Sequence, residues 1–322
     1  QIPDIQVNFQ SQYSQILDCE NVLDENYYEP SVYYNSAYWL QFWVLERGLE
    51  GDGFRLYQSG SYERAIESYN QALSNKPDDY QILNNLGLVL YSMGRYQEAI
   101  ENFNKATDSN SKDNTAWNNR GNAFLKLGQH QEAIASYDKA LKIKSNSHIA
   151  WNNRGNVLFG LGQYKKAIAS YDKACKFELD SNVSQFKQSK DIKQKKTFMI
   201  SEGFYNAWYQ RGNALCSLNR YKEAVESYNE ALRFVYTEYE AYYNQGNAMS
   251  KLGDHQEALK SYNSCLRYNA EFFQALVNKG NALYSLADYE QALESYDQAL
   301  ELNPYNCWSA LYNRGNALLK LG

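Results

Sequence analysis

One spacing constrains this chain more than any other property. Gly53, Gly87, Gly121, Gly155, Gly212, Gly246, Gly280 and Gly315 follow one another at intervals of 34, 34, 34, 57, 34, 34 and 35 residues. The 57 is one 34-residue period with 23 residues inserted. Ala65, Ala99, Ala133, Ala167, Ala224, Ala258 and Ala292 keep the same intervals, and Tyr69, Phe103, Tyr137, Tyr171, Tyr228, Tyr262 and Tyr296 trail them by four residues. Self-similarity at this period means one supersecondary unit copied along a solenoid, in which each copy buries its apolar face by stacking on its neighbours.

Within a copy, residues 114–147 show how the unit folds. Trp117, Gly121 and Phe124 recur at i, i+4 and i+7, the apolar face of a first helix, A. Gly128 follows the last periodic residue, where a left-handed turn ends a helix at least cost. Ala133, Tyr137, Ala140 and Leu141 then mark the face of a second helix, B, so the unit reads as an αα-hairpin. Glycine within a helix costs about 1 kcal/mol relative to alanine. Its recurrence at Gly121 and equivalent positions therefore predicts an offsetting close contact: backbones approaching beside Ala133 and Ala140, with Trp117 and Tyr137 filling the space around them.

These residues resemble the tetratricopeptide repeat family. The fourth copy carries the motif as Trp151, Gly155, Leu158, Gly162, Tyr164, Ala167, Tyr171 and Ala174. The resemblance implies an all-α fold, a right-handed superhelical solenoid of antiparallel helix pairs. It covers copies at 46–79, 80–113, 114–147, 148–181, 205–238, 239–272 and 273–306, with a half copy at 308–322. The first copy departs from the pattern, with Leu49 in the aromatic position and Asp52 nearby. The half copy holds a helix A without its helix B, which leaves apolar surface open and leads to the expectation that the chain is a fragment of a longer protein.

Four regions follow: an aromatic-rich capping segment at 1–45, copies 1 to 4 at 46–181, an insertion at 182–204, and copies 5 to 7 with the half copy at 205–322. The insertion is rich in lysine (Lys187, Lys190, Lys193, Lys195, Lys196) and reads as a solvated segment that extends helix B of the fourth copy before looping back.

Charge and cysteine usage narrow the function classes. Thirty-two Lys and Arg against 37 Asp and Glu give a formal charge of −5, which disfavours a general nucleic-acid binder, including a helical-repeat reader of single-stranded RNA. Five scattered cysteines without a C-x-x-C pair disfavour a disulfide framework or a zinc site and favour a reducing, cytoplasmic setting. His130 and His255 share one repeat position and read as surface substitutions. No apolar run reaches the roughly 20 residues that span a bilayer. No phosphate loop, metal-spaced cluster or nucleophile elbow appears, so neither catalytic nor metal residues nor a cofactor are expected, and the chain does not read as an enzyme.

Function is expected on the A helices, which line the concave surface in the family. Asn119, Asn153, Gln210, Asn244, Asn278 and Asn313 recur just after the aromatic position, with Asn122, Asn156, Asn213, Asn247, Asn281 and Asn316 three residues on. Spacing of i, i+3 stacks them into two amide ladders whose donors and acceptors suit the main chain of an extended peptide. In relatives, similar ladders hold peptide backbones. Arg120, Arg154, Arg211, Lys279 and Arg314 lie between the amides, with Lys126, Lys251 and Lys320 further along; cations in the groove would steer an acidic segment inward. The arginine position also allows a second reading, with the stem packed and the guanidinium paired to a nearby acid. Tyr209, Tyr243 and Tyr284 are the expected apolar anchors. Asn118, Asn152, Tyr209 and Tyr243 stand where the carboxylate-clamp subset of the family needs cations, so that clamp is not expected. The partner is thus another protein or peptide segment, and oligomeric state stays open. An alternative is that the chain is the sensor or substrate-recruiting region of a larger multidomain protein.

Overall fold

The computed structural model describes residues 49–188, 195–304 and 307–322. The expected cap at 1–45 and the centre of the insertion lie outside the described residues. The described residues are all-α and form two compact units, 49–188 and 195–322.

In the first unit, helices A and B alternate: α1 (Leu49–Gln58), α2 (Tyr62–Asn75), α3 (Tyr80–Ser92), α4 (Tyr96–Ser109), α5 (Asn114–Lys126), α6 (His130–Ile143), α7 (His148–Gly160) and α8 (Tyr164–Gln188). The second unit continues with α9 (Lys195–Cys216), α10 (Tyr221–Phe234), α11 (Tyr239–Lys251), α12 (His255–Tyr268), α13 (Phe273–Ser285), α14 (Tyr289–Leu302) and α15 (Trp308–Leu321). Odd-numbered helices are A and even-numbered ones B. The 23-residue insertion lengthens the helices that flank it, since α8 runs 25 residues and α9 runs 22.

Local chemistry sets the boundaries. Asp79 caps α3 by accepting from the backbone N–H of Gln81 at 3.1 Å, and Asp113 and Ser147 do the same for α5 and α7. The A-to-B turn needs one left-handed residue, which is Gly128 (φ 71°) in the third copy and Ala287 (φ 62°) in the seventh. Within each unit, helices consecutive in the chain pack against one another, so an interior A helix touches the B helix on either side of it. Within a unit successive A helices also touch one another, so they form the inner wall of the array and the B helices the outer.

The recurring glycine makes the contact that organises each pair. A Cβ built on Gly121 would stand 2.6 Å from Cε1 of Tyr137, and on Gly155 2.6 Å from Cε1 of Tyr171. The other five complete copies match this, with the ring of Tyr69, Phe103, Tyr228, Tyr262 or Tyr296 against its glycine. The sequence expectation is thus corrected in detail: the aromatic ring fills the notch, rather than the facing backbone. Ala133 and Ala140, both fully buried, pack around it, while Trp117 sits half-buried and donates from its Nε1 to the Ser111 carbonyl at 3.2 Å. Gly315 has nothing within 4 Å, because α15 has no following B helix among the described residues.

Ala287 holds a backbone conformation that costs a side-chain-bearing residue about 1 kcal/mol. Ala287→Gly is expected to raise the urea midpoint by a corresponding amount, and Gly128→Ala to lower it, in equilibrium unfolding followed by circular dichroism.

Candidate functional site

The inner wall is built around hydrogen-bonded amides. In helix A of the third to seventh copies, the asparagine one residue after the glycine turns its Oδ1 back to helix B, where the tyrosine that covers the glycine donates its hydroxyl. Tyr137 bonds Asn122 at 2.7 Å, Tyr171 bonds Asn156 at 2.9 Å, Tyr228 bonds Asn213 at 2.7 Å, Tyr262 bonds Asn247 at 2.9 Å and Tyr296 bonds Asn281 at 2.9 Å. The same oxygen then accepts from the next copy. Nδ2 of Asn153 reaches Asn122 at 3.1 Å, Asn244 reaches Asn213 at 3.3 Å, Asn278 reaches Asn247 at 2.8 Å and Asn313 reaches Asn281 at 2.8 Å. Each Nδ2 of Asn153, Asn244 and Asn278 also meets the preceding helix A, at Asn118, Tyr209 and Tyr243 respectively.

The expectation of free amide ladders is corrected by this network. Asn119, Asn122, Asn153, Asn213, Asn244 and Asn247 are at most 7% exposed. Burial of an amide is tolerated where its polar atoms are paired, and most of these pairs run between neighbouring helices, while Nδ2 of Asn122 is buried without a hydrogen-bond partner. Asn156, Gln210, Asn278, Asn281, Asn313 and Asn316 remain half-exposed. Tyr209 and Tyr243, expected as anchors, are likewise buried with their hydroxyls accepting from Asn244 and Asn278, and Tyr209 stacks on Tyr205 at 5.4 Å. Tyr284 stays half-buried.

The arginine series also turns away from the inner wall. Arg120 donates from Nε to Asn104 on α4 at 2.6 Å and from an Nη to Ser136 on α6 at 3.1 Å. Arg154 repeats this with Asp138 at 2.7 Å and Ser170 at 2.8 Å, and Arg211 reaches Ser227 at 2.6 Å. The guanidiniums of Arg120, Arg154 and Arg211 also lie over the rings of Trp117, Trp151 and Trp208. Arg120 and Arg154 bridge two B helices and Arg211 bonds the one that follows it, which corrects their assignment to the groove. Burial pulls the Arg120 guanidinium below its ordinary pKa against the field of Asp108, consistent with an interior seat. Arg314 bonds Asp297 in the same manner, and Lys279 is half-exposed. Lys126, Lys251 and Lys320 all lie exposed, five residues beyond the helix A glycine.

Two parts of this arrangement were not singled out in the sequence: the serines at Ser136, Ser170 and Ser227, and Asn84, whose Oδ1 accepts from Nδ2 of Asn119 at 3.1 Å. The signal was available. Arginine and serine are 16 residues apart in every pair, and tyrosine and asparagine 15. The second copy departs at both ends of the pair, since Phe103 lacks a hydroxyl and Leu88 replaces the asparagine, while the first keeps the Tyr69 hydroxyl with Phe54 in the asparagine position. Among the described residues no group of three His, Cys, Asp or Glu could hold a metal, and no helix is long and apolar enough to cross a membrane.

The chain belongs to the tetratricopeptide repeat family. Family profiles described as tetratricopeptide or TPR repeat match 53–94, 85–148 and 148–178, and again 212–253, 239–272 and 273–306. A search of curated protein sequences gives no significant match. Solved structures share the fold. The C-terminal part of a TPR repeat-containing protein from Cytophaga hutchinsonii aligns at TM-score 0.63 and 18% identity, covering 82% of this chain and 98% of that one. YrrB, described as a TPR protein with an unusual peptide-binding site, aligns at 0.55 and 24%, covering 67% of this chain and 99% of its own. PilF from Pseudomonas aeruginosa aligns at 0.55 and 16%, covering 75% and 99%. The fold is that of a protein-interaction scaffold.

Asn153→Ala removes two donors and strands buried acceptors, and is expected to cost about 2 kcal/mol in denaturant unfolding. Lys126→Ala, at an exposed site, should stay within about 0.5 kcal/mol of the parent.

His148 at the start of α7 offers a pH test. Burial, helped by Lys144, lowers its pKa from 6.5 to about 4, so it folds as the neutral imidazole. The unfolded chain binds the extra proton between these values, so stability is full above about pH 6.5 and declines as pH falls toward 4, by up to about 3 kcal/mol. His148→Gln is expected to lose less thermal stability than the parent between pH 7 and pH 4.5.

Proposed function

We propose that the chain is a non-catalytic interaction scaffold that receives an extended, acidic segment of a partner protein along the inner wall of its A helices. The observation that carries this reading is the recurrence of an exposed cation at one inner-wall position, Lys126, Lys251 and Lys320, in a chain of net charge −5. An acidic segment is drawn to such cations, Lys126 in the first unit and Lys251 with Lys320 in the second. The half-exposed amides Asn156, Gln210, Asn278, Asn281, Asn313 and Asn316 then supply main-chain hydrogen bonds, and Tyr284 an apolar contact. The buried asparagines serve indirectly, by holding successive A helices in register. The peptide-binding site named for YrrB supports a peptide as the ligand class.

The setting proposed is the reducing cytoplasm. Cys175, Cys216, Cys265 and Cys307 are buried, with no disulfide among the described residues, and burial pushes the Cys265 thiol up to about 12, so it stays protonated and unreactive.

Peptides selected from a random displayed library on the full chain are expected to be enriched in Asp and Glu. Lys126→Glu combined with Lys251→Glu, both at exposed positions, should reduce that enrichment with the circular dichroism spectrum unchanged. Selected peptides without acidic bias, or the same bias on the variant, would contradict the reading.

A further inference from the structure

We infer that the outer face of the third and fourth copies is a second docking surface, for an acidic polypeptide segment, distinct from the inner wall. Lys139 on α6 and Lys173 on α8 occupy equivalent positions 34 residues apart, and Lys105 on α4 precedes them by the same interval. Lys142 and Lys176 lie three residues on, sharing that face of α6 and α8, and Lys144 follows the end of α6. All six are exposed.

These charges lack compensation. Among the described residues, Lys105, Lys139, Lys142, Lys144 and Lys173 make no ion pair, and the neighbouring carboxylate of Asp138 is held by Arg154 at 2.7 Å. Residues 126–176 carry nine Lys and Arg against only Glu132, Asp138 and Asp172, so they form a basic island in a chain whose net charge is −5. In the second unit the positions equivalent to Lys173 are Glu230, Ser264 and Gln298, so the island belongs to these copies and is no family-wide feature of helix B. Like charges on adjacent helices repel one another, and an anionic segment laid across them relieves that repulsion while its own charges find partners.

The surroundings favour a polypeptide over other anions. Ala135 and Ala169 are exposed beside the lysines, and among the described side chains of α6 and α8 no aromatic ring is exposed on which a nucleic-acid base could stack. Ile143 is the one large apolar side chain exposed beside the lysines among the described residues, and a single residue makes no amphipathic face that enters a bilayer. A long polyanion would also extend beyond the island onto acidic surface.

The test is fluorescence anisotropy of a labelled twelve-residue oligoglutamate titrated with the full chain in low salt. Three proteins are compared: the parent, an outer variant (Lys139→Glu, Lys142→Glu, Lys173→Glu, Lys176→Glu) and the inner variant (Lys126→Glu, Lys251→Glu), with folding checked by circular dichroism. The outer variant should bind at least tenfold more weakly and show a shallower salt dependence, while the inner variant keeps outer-site binding within threefold. Absence of oligoglutamate binding by the parent, or an outer variant within twofold of it, would overturn the inference. So would tighter binding of the parent to a single-stranded oligonucleotide, or to vesicles containing phosphatidylserine, than to oligoglutamate. Failure of the inner-wall reading would show instead in the peptide selection, which the outer substitutions leave intact.

Discussion

An aromatic ring seated on a glycine is the contact on which each repeat depends. In all seven complete copies the ring lies where a Cβ would otherwise project, close enough that even a methyl group would overlap it. Glycine inside a helix is a local disadvantage, and it is tolerated because the notch it leaves lets a fully buried ring join A to B without a void. The alanines at Ala133, Ala140 and their equivalents keep the rest of that interface thin.

The hydroxyl of the same ring extends the contact from one copy to the next. It fixes one asparagine of helix A, and that asparagine in turn receives the amide of the following helix A. One Oδ1 therefore joins three helices, and the chain of tyrosine, asparagine and asparagine recurs along both units. A buried network of this kind penalises shifts in register, because any slip strands several polar atoms at once. It also limits where a ligand can bind. Amides committed to holding helices together are not free to hold a visitor, which is why the proposed recognition falls to half-exposed amides and exposed lysines.

The architecture was legible in the sequence because its two periods are strong and independent. The 34-residue recurrence marked the repeat, and the spacing of Ala133, Tyr137 and Ala140 marked helix B. The site was legible in composition but not in direction. Stacked asparagines on one helical face were read correctly as ladders, yet the spacing along helix A alone does not tell the inner wall from the seam between copies. That distinction came from helix B, through the 15-residue link from Asn122 to Tyr137 and the 16-residue link from Arg120 to Ser136. Arg120 was misplaced for a related reason: a long side chain beginning near the groove can end elsewhere, and Trp117 and Asn104 determine where this one ends.

A double-mutant cycle on Gly155 and Tyr171 tests the ring-on-glycine contact most directly. Gly155→Ala should cost about 2 kcal/mol in denaturant unfolding of the otherwise intact chain, because the new methyl collides with the ring. In a Tyr171→Ala background the collision partner is gone, so the same substitution should cost nothing and return the helix-propensity gain of up to about 1 kcal/mol. An equal cost in both backgrounds would mean that the ring does not exclude a side chain at position 155, and would contradict its role in joining the helices.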